Sequence, residues 1–335
     1  MFLKNLQKLL VAIDDWTDDR ERDLVADDPQ NLYIQLYNAY ANTETAFLRG
    51  RVLRKHRRFR PALPTDGIGT NLMNTYFRIY SQEVSGVRLR LFLQENSVEV
   101  VSDNEGYFYI EMPLGGRLSA GVHTLNAEVL SAPFVVKTTE IAAASVFLPP
   151  ADADFGVISD IDDTTIISKT FSPARMLYTI LCVNAYRRKA VQGVPEWYNS
   201  LRANGKNPFF YVSSSPWNIY DILTQIFELQ HIPQGAIALR DYGIDPDKFF
   251  MGTHGTHKTK AIDDILAAYP HLNFILSGDT AQHDTEIYCA AAHKHGKRIT
   301  TIYIRDVGVP KRLDYAQPLI AEAQKNSIDC RLMPF

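Results

Sequence analysis

The stretch Phe155-Gly156-Val157-Ile158-Ser159-Asp160-Ile161-Asp162-Asp163-Thr164 joins a short apolar run to three carboxylates in four positions. An apolar run without alternation is what a strand buried on both faces requires. The carboxylates at its end repel one another and lose hydration, so a cation or a shared proton must offset them. Further apolar runs follow at Pro208–Val212, Ala236–Leu239, Asn273–Leu276 and Thr300–Ile304, separated by longer segments of helical spacing. Strands alternating with helices predict a parallel sheet covered on both faces. Ligands of such a sheet collect beyond the carboxyl ends of the strands.

Polar chemistry follows several of these runs. After Val212 comes Ser213-Ser214-Ser215-Pro216-Trp217-Asn218, at the entrance to a predicted helix Ile219–Leu229. Serines there serve either as helix N-caps or as donors to an anion. Lys258 follows His254-Gly255-Thr256-His257 and opens another helical run. Taken alone it reads as a solvated cation, and the two histidines lack a third zinc ligand nearby in the chain. After Leu276 comes Ser277-Gly278-Asp279-Thr280-Ala281-Gln282-His283-Asp284. This second acidic loop lets Asp279 and the Asp160 group converge on one hard cation with oxygen ligands, for which Mg²⁺ is best suited.

The chain before this region has a different texture. Residues 2–16 place Phe2, Leu3, Leu6, Leu9, Leu10 and Ile13 at helical spacing, as in a helix packed on its own domain or, alternatively, a peripheral membrane anchor. From Leu32 to about Leu148 short runs rich in Tyr, Val, Phe and Arg alternate with turn signals such as Asp103-Asn104-Glu105-Gly106. That pattern predicts an antiparallel sandwich or barrel, with strands that include Leu32–Tyr40, Thr45–Val52 and Thr75–Tyr80. The cations from Arg49 to Arg60 read as a solvated strand and loop, or as a patch for phosphate-bearing surfaces. The expected organisation is therefore a helical segment at 1–30, an all-β sandwich-like domain at 31–150, an α/β domain at 151–310 and a C-terminal extension at 311–335.

Bulk properties narrow the class. A length of 335 residues suits about two domains, and 46% hydrophobic with 22% charged residues is globular composition rather than disorder. A formal charge of -3 supplies no global field to recruit nucleic acid or anionic membrane. Cys182, Cys289 and Cys330 lie far apart, which disfavours a disulfide framework, a zinc knuckle or an iron-sulfur site. No apolar run approaches the ~20 residues of a membrane span, and the first residues lack a signal peptide's apolar core. The expected location is the cytoplasm, with peripheral membrane contact as a further expectation.

The ordered set Asp160-x-Asp162-x-Thr164, Ser213 after a strand, Lys258, and Gly278-Asp279 with Asp284 resembles the four motifs of the haloacid dehalogenase superfamily. The surrounding words Tyr211-Val212-Ser213-Ser214-Ser215-Pro216-Trp217-Asn218 and Leu276-Ser277-Gly278-Asp279 narrow the resemblance. They look like the catalytic-domain family that includes the fungal actin-patch phosphatidate phosphatases, over roughly residues 150–310. The β region is similar to bacterial members of that family only in general layout. Two departures are Ser214, where Asn is usual, and Thr280-Ala281, where Ser-Gly is usual. Neither removes a charged group.

The resemblance implies a Rossmann-like sheet without a large cap and phosphomonoester hydrolysis through an aspartyl-phosphate. It implies Asp160 as nucleophile and Asp162 as general acid and base. Mg²⁺ would be held by Asp160, the Asp162 main-chain carbonyl and Asp279, with Asp284 as a further ligand or an anchor for bound water. The phosphoryl oxygens would be bound by Ser213, the Ser214 N–H and Lys258, and Thr164 would orient Asp160.

Only 48 residues separate Thr164 from Ser213, and 44 separate Ser213 from Lys258, so no large cap fits at either place. An open site suits phosphate presented on a surface, and phosphatidate is the expected substrate. A phosphatase for phosphoproteins or polynucleotide ends, or a non-catalytic module that binds phosphate-bearing surfaces, are the alternatives; binding to nucleic acid itself is not expected.

Overall fold

Between Gln30 and Leu148, strand residues that alternate between buried and exposed line up along a single apolar core. The computed structural model describes residues 30–54, 60–79, 81–116, 118–240 and 254–333. The helical reading of residues 2–16 and the central cations of the basic segment lie outside these residues. The first half consists of β1 (Gln30–Leu36), β2 (Ala39–Ala41), β3 (Thr45–Arg54), helix α1 (Ile68–Ile79), β4 (Gln82–Glu83), β5 (Arg88–Leu93), β6 (Asn96–Val101), β7 (Tyr107–Pro113), β8 (Gly121–Ser131), β9 (Val136–Ala142) and β10 (Ala144–Leu148).

These strands join one hydrogen-bonded network of ten, in the order β6-β5-β8-β10-β2-β3-β1-β9, with β4 and β7 also paired to β3. Of the sandwich or barrel that the sequence pattern allows, the described strands form one sheet that curls, bringing β6 into contact with β7. In it β1 with β9 and β10 with β2 pair in parallel, where that pattern predicts antiparallel neighbours. Leu32, Ile34, Leu48, Leu89, Leu91 and Val146 lie in the buried cluster this sheet encloses. The predicted turn forms as read: the Asp103 side chain accepts the N–H groups of Glu105 and Tyr107, and Gly106 has φ +75°, where a Cβ would lie 2.5 Å from the Val52 carbonyl.

One predicted strand is wrong: Thr75 to Ile79 is the last part of α1. The run Thr75-Tyr76-Phe77-Arg78-Ile79-Tyr80 is rich in residues that favour strands, yet Asn71, Asn74, Thr75, Tyr76 and Phe77 form the buried side of a helix. Asn71 donates to the Cys182 carbonyl at 3.0 Å, docking this helix on the second half of the chain.

The second half consists of β11 (Gly156–Ser159), α2 (Pro173–Cys182), α3 (Val194–Arg202), β12 (Phe209–Pro216), α4 (Tyr220–Leu229), β13 (Ala236–Arg240), α5 (His254–Ala268), β14 (Phe274–Asp279), α6 (Asp284–His295), β15 (Ile299–Arg305), α7 (Pro310–Lys325) and β16 (Cys330–Met333). All six strands are parallel, in the order β13-β12-β11-β14-β15-β16. Every residue of β11 and β14 is buried, which is why their sequences show no alternation. Ile158, Phe210 and Leu276 face one apolar cluster with residues of α5, α6 and α7. Val157, Phe209 and Tyr211 face another with residues of α3 and α4.

Residues 311–335, read from sequence as an extension, supply most of α7 and the edge strand β16, so they complete this sheet. The chain order reverses between β11 and β14, and a doubly wound sheet opens its ligand crevice at such a switch point.

The two halves share a core. Tyr37, at the break between β1 and β2, stacks on Trp217 with ring centroids 4.1 Å apart, and the Tyr220 hydroxyl accepts the Asn38 N–H at 2.7 Å. Tyr37→Ala should cost about 3–5 kcal/mol, the usual range for removing a large buried side chain, and lower the urea midpoint. Equilibrium unfolding followed by tryptophan fluorescence measures this.

Candidate active site

Asp160 and Asp279 sit at the carboxyl ends of the adjacent strands β11 and β14, in the switch-point crevice. Asp284 begins α6. The three carboxylates are fully buried, and one oxygen from each lies within 4.8 Å of the others. Lys258 of α5 is equally buried and reaches between two of them: its Nζ donates to Asp160 Oδ1 at 2.6 Å and to Asp284 Oδ1 at 2.5 Å. Sequence alone reads Lys258 as a solvated cation. Only the packing of α5 against the sheet brings it inside.

One ammonium does not neutralise three carboxylates. Burial, above the opposing pull of Lys258, raises the Asp160 carboxyl well above the ordinary carboxylate range, and Asp284 and Asp279 raise it further. Asp279 is pushed up to about 8, first by burial and then by Asp284. Burial disfavours the charged form of Lys258, but Asp160 and Asp284 outweigh it and hold the ammonium charged.

Asp160 Oδ2 is buried with no hydrogen-bond partner. A dry set of carboxylate oxygens with uncompensated negative charge and an orphaned oxygen fits a hard divalent cation bound by Asp160, Asp279 and Asp284. Among the described residues no other group of His, Cys, Asp or Glu has such a spacing, and His257 is kept neutral by burial, which pulls it down to about 4.

The other acidic residues of the loop have separate partners. Asp162 Oδ1 accepts the Ser168 hydroxyl at 2.6 Å, and its Oδ2 accepts Ser213 at 2.9 Å and Ser215 at 2.6 Å. Its carboxylate therefore faces a cage of hydroxyls and is not part of the carboxylate triad. Buried Arg188 stands behind this cage, 3.0 Å from Ser168 Oγ and 4.0 Å from Asp162 Oδ1. Asp163, at φ +62°, braces the loop by accepting the N–H groups of Ser168, Lys169 and Thr170, while its carbonyl accepts Arg305.

Thr164 has a different partner from the one expected. Its hydroxyl donates to Asp279 Oδ2 at 2.9 Å, tying the two acidic loops together. The Asp160 carbonyl is held instead by the hydroxyls of Thr165 and Ser159, each at 2.7 Å. Beneath them Tyr198 shares a hydrogen bond with Ser159 Oγ at 2.7 Å and donates to Ser277 Oγ at 2.9 Å, linking β11 to β14. Ser168, Arg188 and Tyr198 escape sequence reasoning because single polar residues outside a motif carry no local signal, whereas Ser215 lies within the serine motif but donates to Asp162 rather than capping a helix.

Ser213 to Ser215 lie within β12, and α4 starts only at Tyr220 after a single turn of 3₁₀-helix. The serines therefore do not cap that helix. Ser213 is buried and Ser214 half-buried at the same strand end. The basic segment also differs from a solvated strand. Buried Arg51 pairs with Glu83 and lies over Tyr107, and the Arg49 guanidinium lies over Tyr109 and Trp217. Arg60 pairs with Asp66. Lys55, Arg57 and Arg58 lie outside the described residues.

Residues 155–306 match the family described as phosphatidate phosphatase APP1, catalytic domain. The match covers a little under half of the chain and spans β11 to β15 of the six-stranded parallel sheet. Phosphatidate phosphatase APP1 of Saccharomyces cerevisiae is 33% identical over 150 residues, covering 45% of this chain and 25% of the yeast protein. An uncharacterized protein of Schizosaccharomyces pombe is 24% identical over 214 residues, covering 62% of this chain and 34% of its own length. The chain thus spans between a quarter and a third of these relatives. Among solved structures, the likeness to a class C acid phosphatase of Bacillus anthracis covers 44% of this chain and 64% of that one, at 15% identity and a TM-score of 0.29.

Two outcomes test the site. Between pH 3.8 and about 8 the folded protein binds a proton at Asp279 that the unfolded chain does not, so without divalent cation its stability should fall as pH rises through that window. Mg²⁺, which favours the ionised form, should flatten the fall. Melting temperatures with chelator and with Mg²⁺ across that range check both. Separately, a Cβ at Gly278 would lie 2.7 Å from the Asp284 Cβ and 2.7 Å from the Tyr288 ring. Gly278→Ala should displace Asp284 and weaken divalent-cation binding at least about tenfold, since small misplacements at such a site can cost ~10²-fold. Isothermal titration measures it.

Proposed function

We propose that this chain is a Mg²⁺-dependent phosphatidate phosphatase that releases diacylglycerol and phosphate through an aspartyl-phosphate. The observation that carries the proposal is the meeting of Asp160, Asp279, Asp284 and Lys258 in one buried cluster, beside the Asp162 and Ser213 pair. The match of residues 155–306 to the phosphatidate phosphatase catalytic domain supports the substrate class.

Asp160, Asp279 and Asp284 would hold Mg²⁺. When bound, that ion would supply positive charge to offset both the carboxylates and the phosphate. Asp160 is the nucleophile: its carboxylate oxygen attacks phosphorus, and the bond from phosphorus to the ester oxygen breaks with its electron pair on the glycerol oxygen. Asp162 gives its proton to that alkoxide, so diacylglycerol leaves neutral. It then takes a proton from water as the water oxygen attacks the phosphorus of the aspartyl-phosphate, returning Asp160 to a carboxylate and releasing phosphate.

Lys258 presents an ammonium to the phosphoryl oxygens, with the Ser214 N–H alongside, and Ser213 would turn its O–H from Asp162 to a phosphoryl oxygen once substrate is bound. The three hydroxyls around Asp162 aim its carboxylate. Tyr198 and Thr164 keep the two acidic strand ends in register.

Phosphate release from phosphatidate in mixed micelles with Mg²⁺ tests the proposal. Native protein should turn over, Asp160→Asn should be inactive, and Asp162→Asn should lose about 10²–10⁴-fold, the usual contribution of a general acid and base. Hydrolysis of a soluble phosphoester with no release from phosphatidate would remove the lipid assignment. Full phosphate-surface binding with no turnover of either substrate would favour a non-catalytic role.

A further inference from the structure

From Thr164 to Pro195 the chain contains no Asp or Glu, and its cations are Lys169, Arg175, Arg187, Arg188 and Lys189. With a formal charge of -3 for the whole protein, this is a local positive field against the overall balance. Arg188 is turned inward behind Asp162, whereas Lys169, Arg175 and Lys189 are exposed and form no ion pair with a described residue. Three large apolar side chains in the same segment also face solvent: Ile167 is 39% exposed, Tyr178 42% and Tyr186 39%. Two acids on elements packed nearby, Asp66 and Asp221, are already paired with Arg60 and Arg78.

The segment borders the site. The Lys169 N–H donates to Asp163 at 2.7 Å, next to Asp162 in the chain, and the Ile167 N–H donates to the Lys189 carbonyl at 2.9 Å. Ile167, Lys169 and Lys189 therefore stand on the rim of the catalytic loop. Arg175 and Tyr178, at i and i+3, share the exposed face of α2.

We infer that this rim is an interfacial docking face that lays the site against an anionic phospholipid bilayer. Exposed cations gain from the negative potential of such a surface, and Tyr and Ile side chains enter its headgroup boundary. No described helix is long and apolar enough to span the bilayer, so the contact is peripheral. The inference rests on the reading of the substrate as a lipid-borne phosphomonoester, because docking brings the membrane-embedded phosphate to Asp160 without a cap domain.

Flotation of the full chain with phosphatidylcholine vesicles, with and without phosphatidylserine, tests it. Native protein should float with the anionic vesicles and not with the neutral ones. Arg175→Glu combined with Lys189→Glu should weaken binding at least about tenfold, as expected for reversing two cations at an anionic surface. Tyr178→Ser combined with Tyr186→Ser should also weaken it, and each pair should hydrolyse a soluble phosphoester at the native rate, which certifies the fold. Should the glutamate pair fail that control, Arg175→Gln with Lys189→Gln replaces it.

Absence of native binding, equal binding to both vesicle types, or variants that bind as native would overturn the inference. Native binding to phosphatidylserine vesicles, with soluble phosphoester hydrolysed and phosphatidate untouched, would leave docking standing and remove the lipid substrate.

Discussion

Three carboxylates buried together, two at the ends of neighbouring strands and one at the start of the next helix, are the constraint around which the α/β half is built. Asp160, Asp279 and Asp284 are shielded from water and close enough to share an ion. Such a cluster is unfavourable in isolation, and burial together with mutual repulsion drives Asp160 and Asp279 toward the protonated form. Lys258 offsets part of the charge, and the orphaned Asp160 oxygen shows where further compensation is missing. The cluster therefore leaves an electrostatic demand that a divalent cation could meet.

Around this cluster the protein uses neutral hydroxyls as spacers. Thr164 ties the first acidic loop to Asp279, and Tyr198 bridges Ser159 and Ser277 beneath it. Asp162 is kept apart from the triad by Ser168, Ser213 and Ser215, so two carboxylates two residues apart acquire different environments. In the proposed mechanism, that separation lets one short loop supply both a nucleophile and a proton donor.

The β half contributes through packing. Tyr37 enters the core of the α/β half, and α1 docks on the end of α2. Among the described residues of the basic run, Arg51 pairs with Glu83 and Arg49 lies over Tyr109 and Trp217. Among the described residues, exposed cations also stand beside the acidic loop at 160–163, in a stretch that composition over the whole chain conceals because acids elsewhere balance it.

Sequence by itself determined the parallel sheet, since unbroken apolar runs such as those of β11 and β14 are stable only when covered on both faces. It also singled out the residues proposed to carry the chemistry, because carboxylates immediately after buried strands can be accommodated in few ways. Tertiary structure decided the rest. The inward turn of Lys258, the hydroxyl cage of Asp162, the Asp279 partner of Thr164 and the helical state of Thr75 all depend on contacts between segments far apart in the chain. Local periodicity reports which face of an element is apolar, but it holds no information about which distant polar group will complete a hydrogen bond once that face is buried.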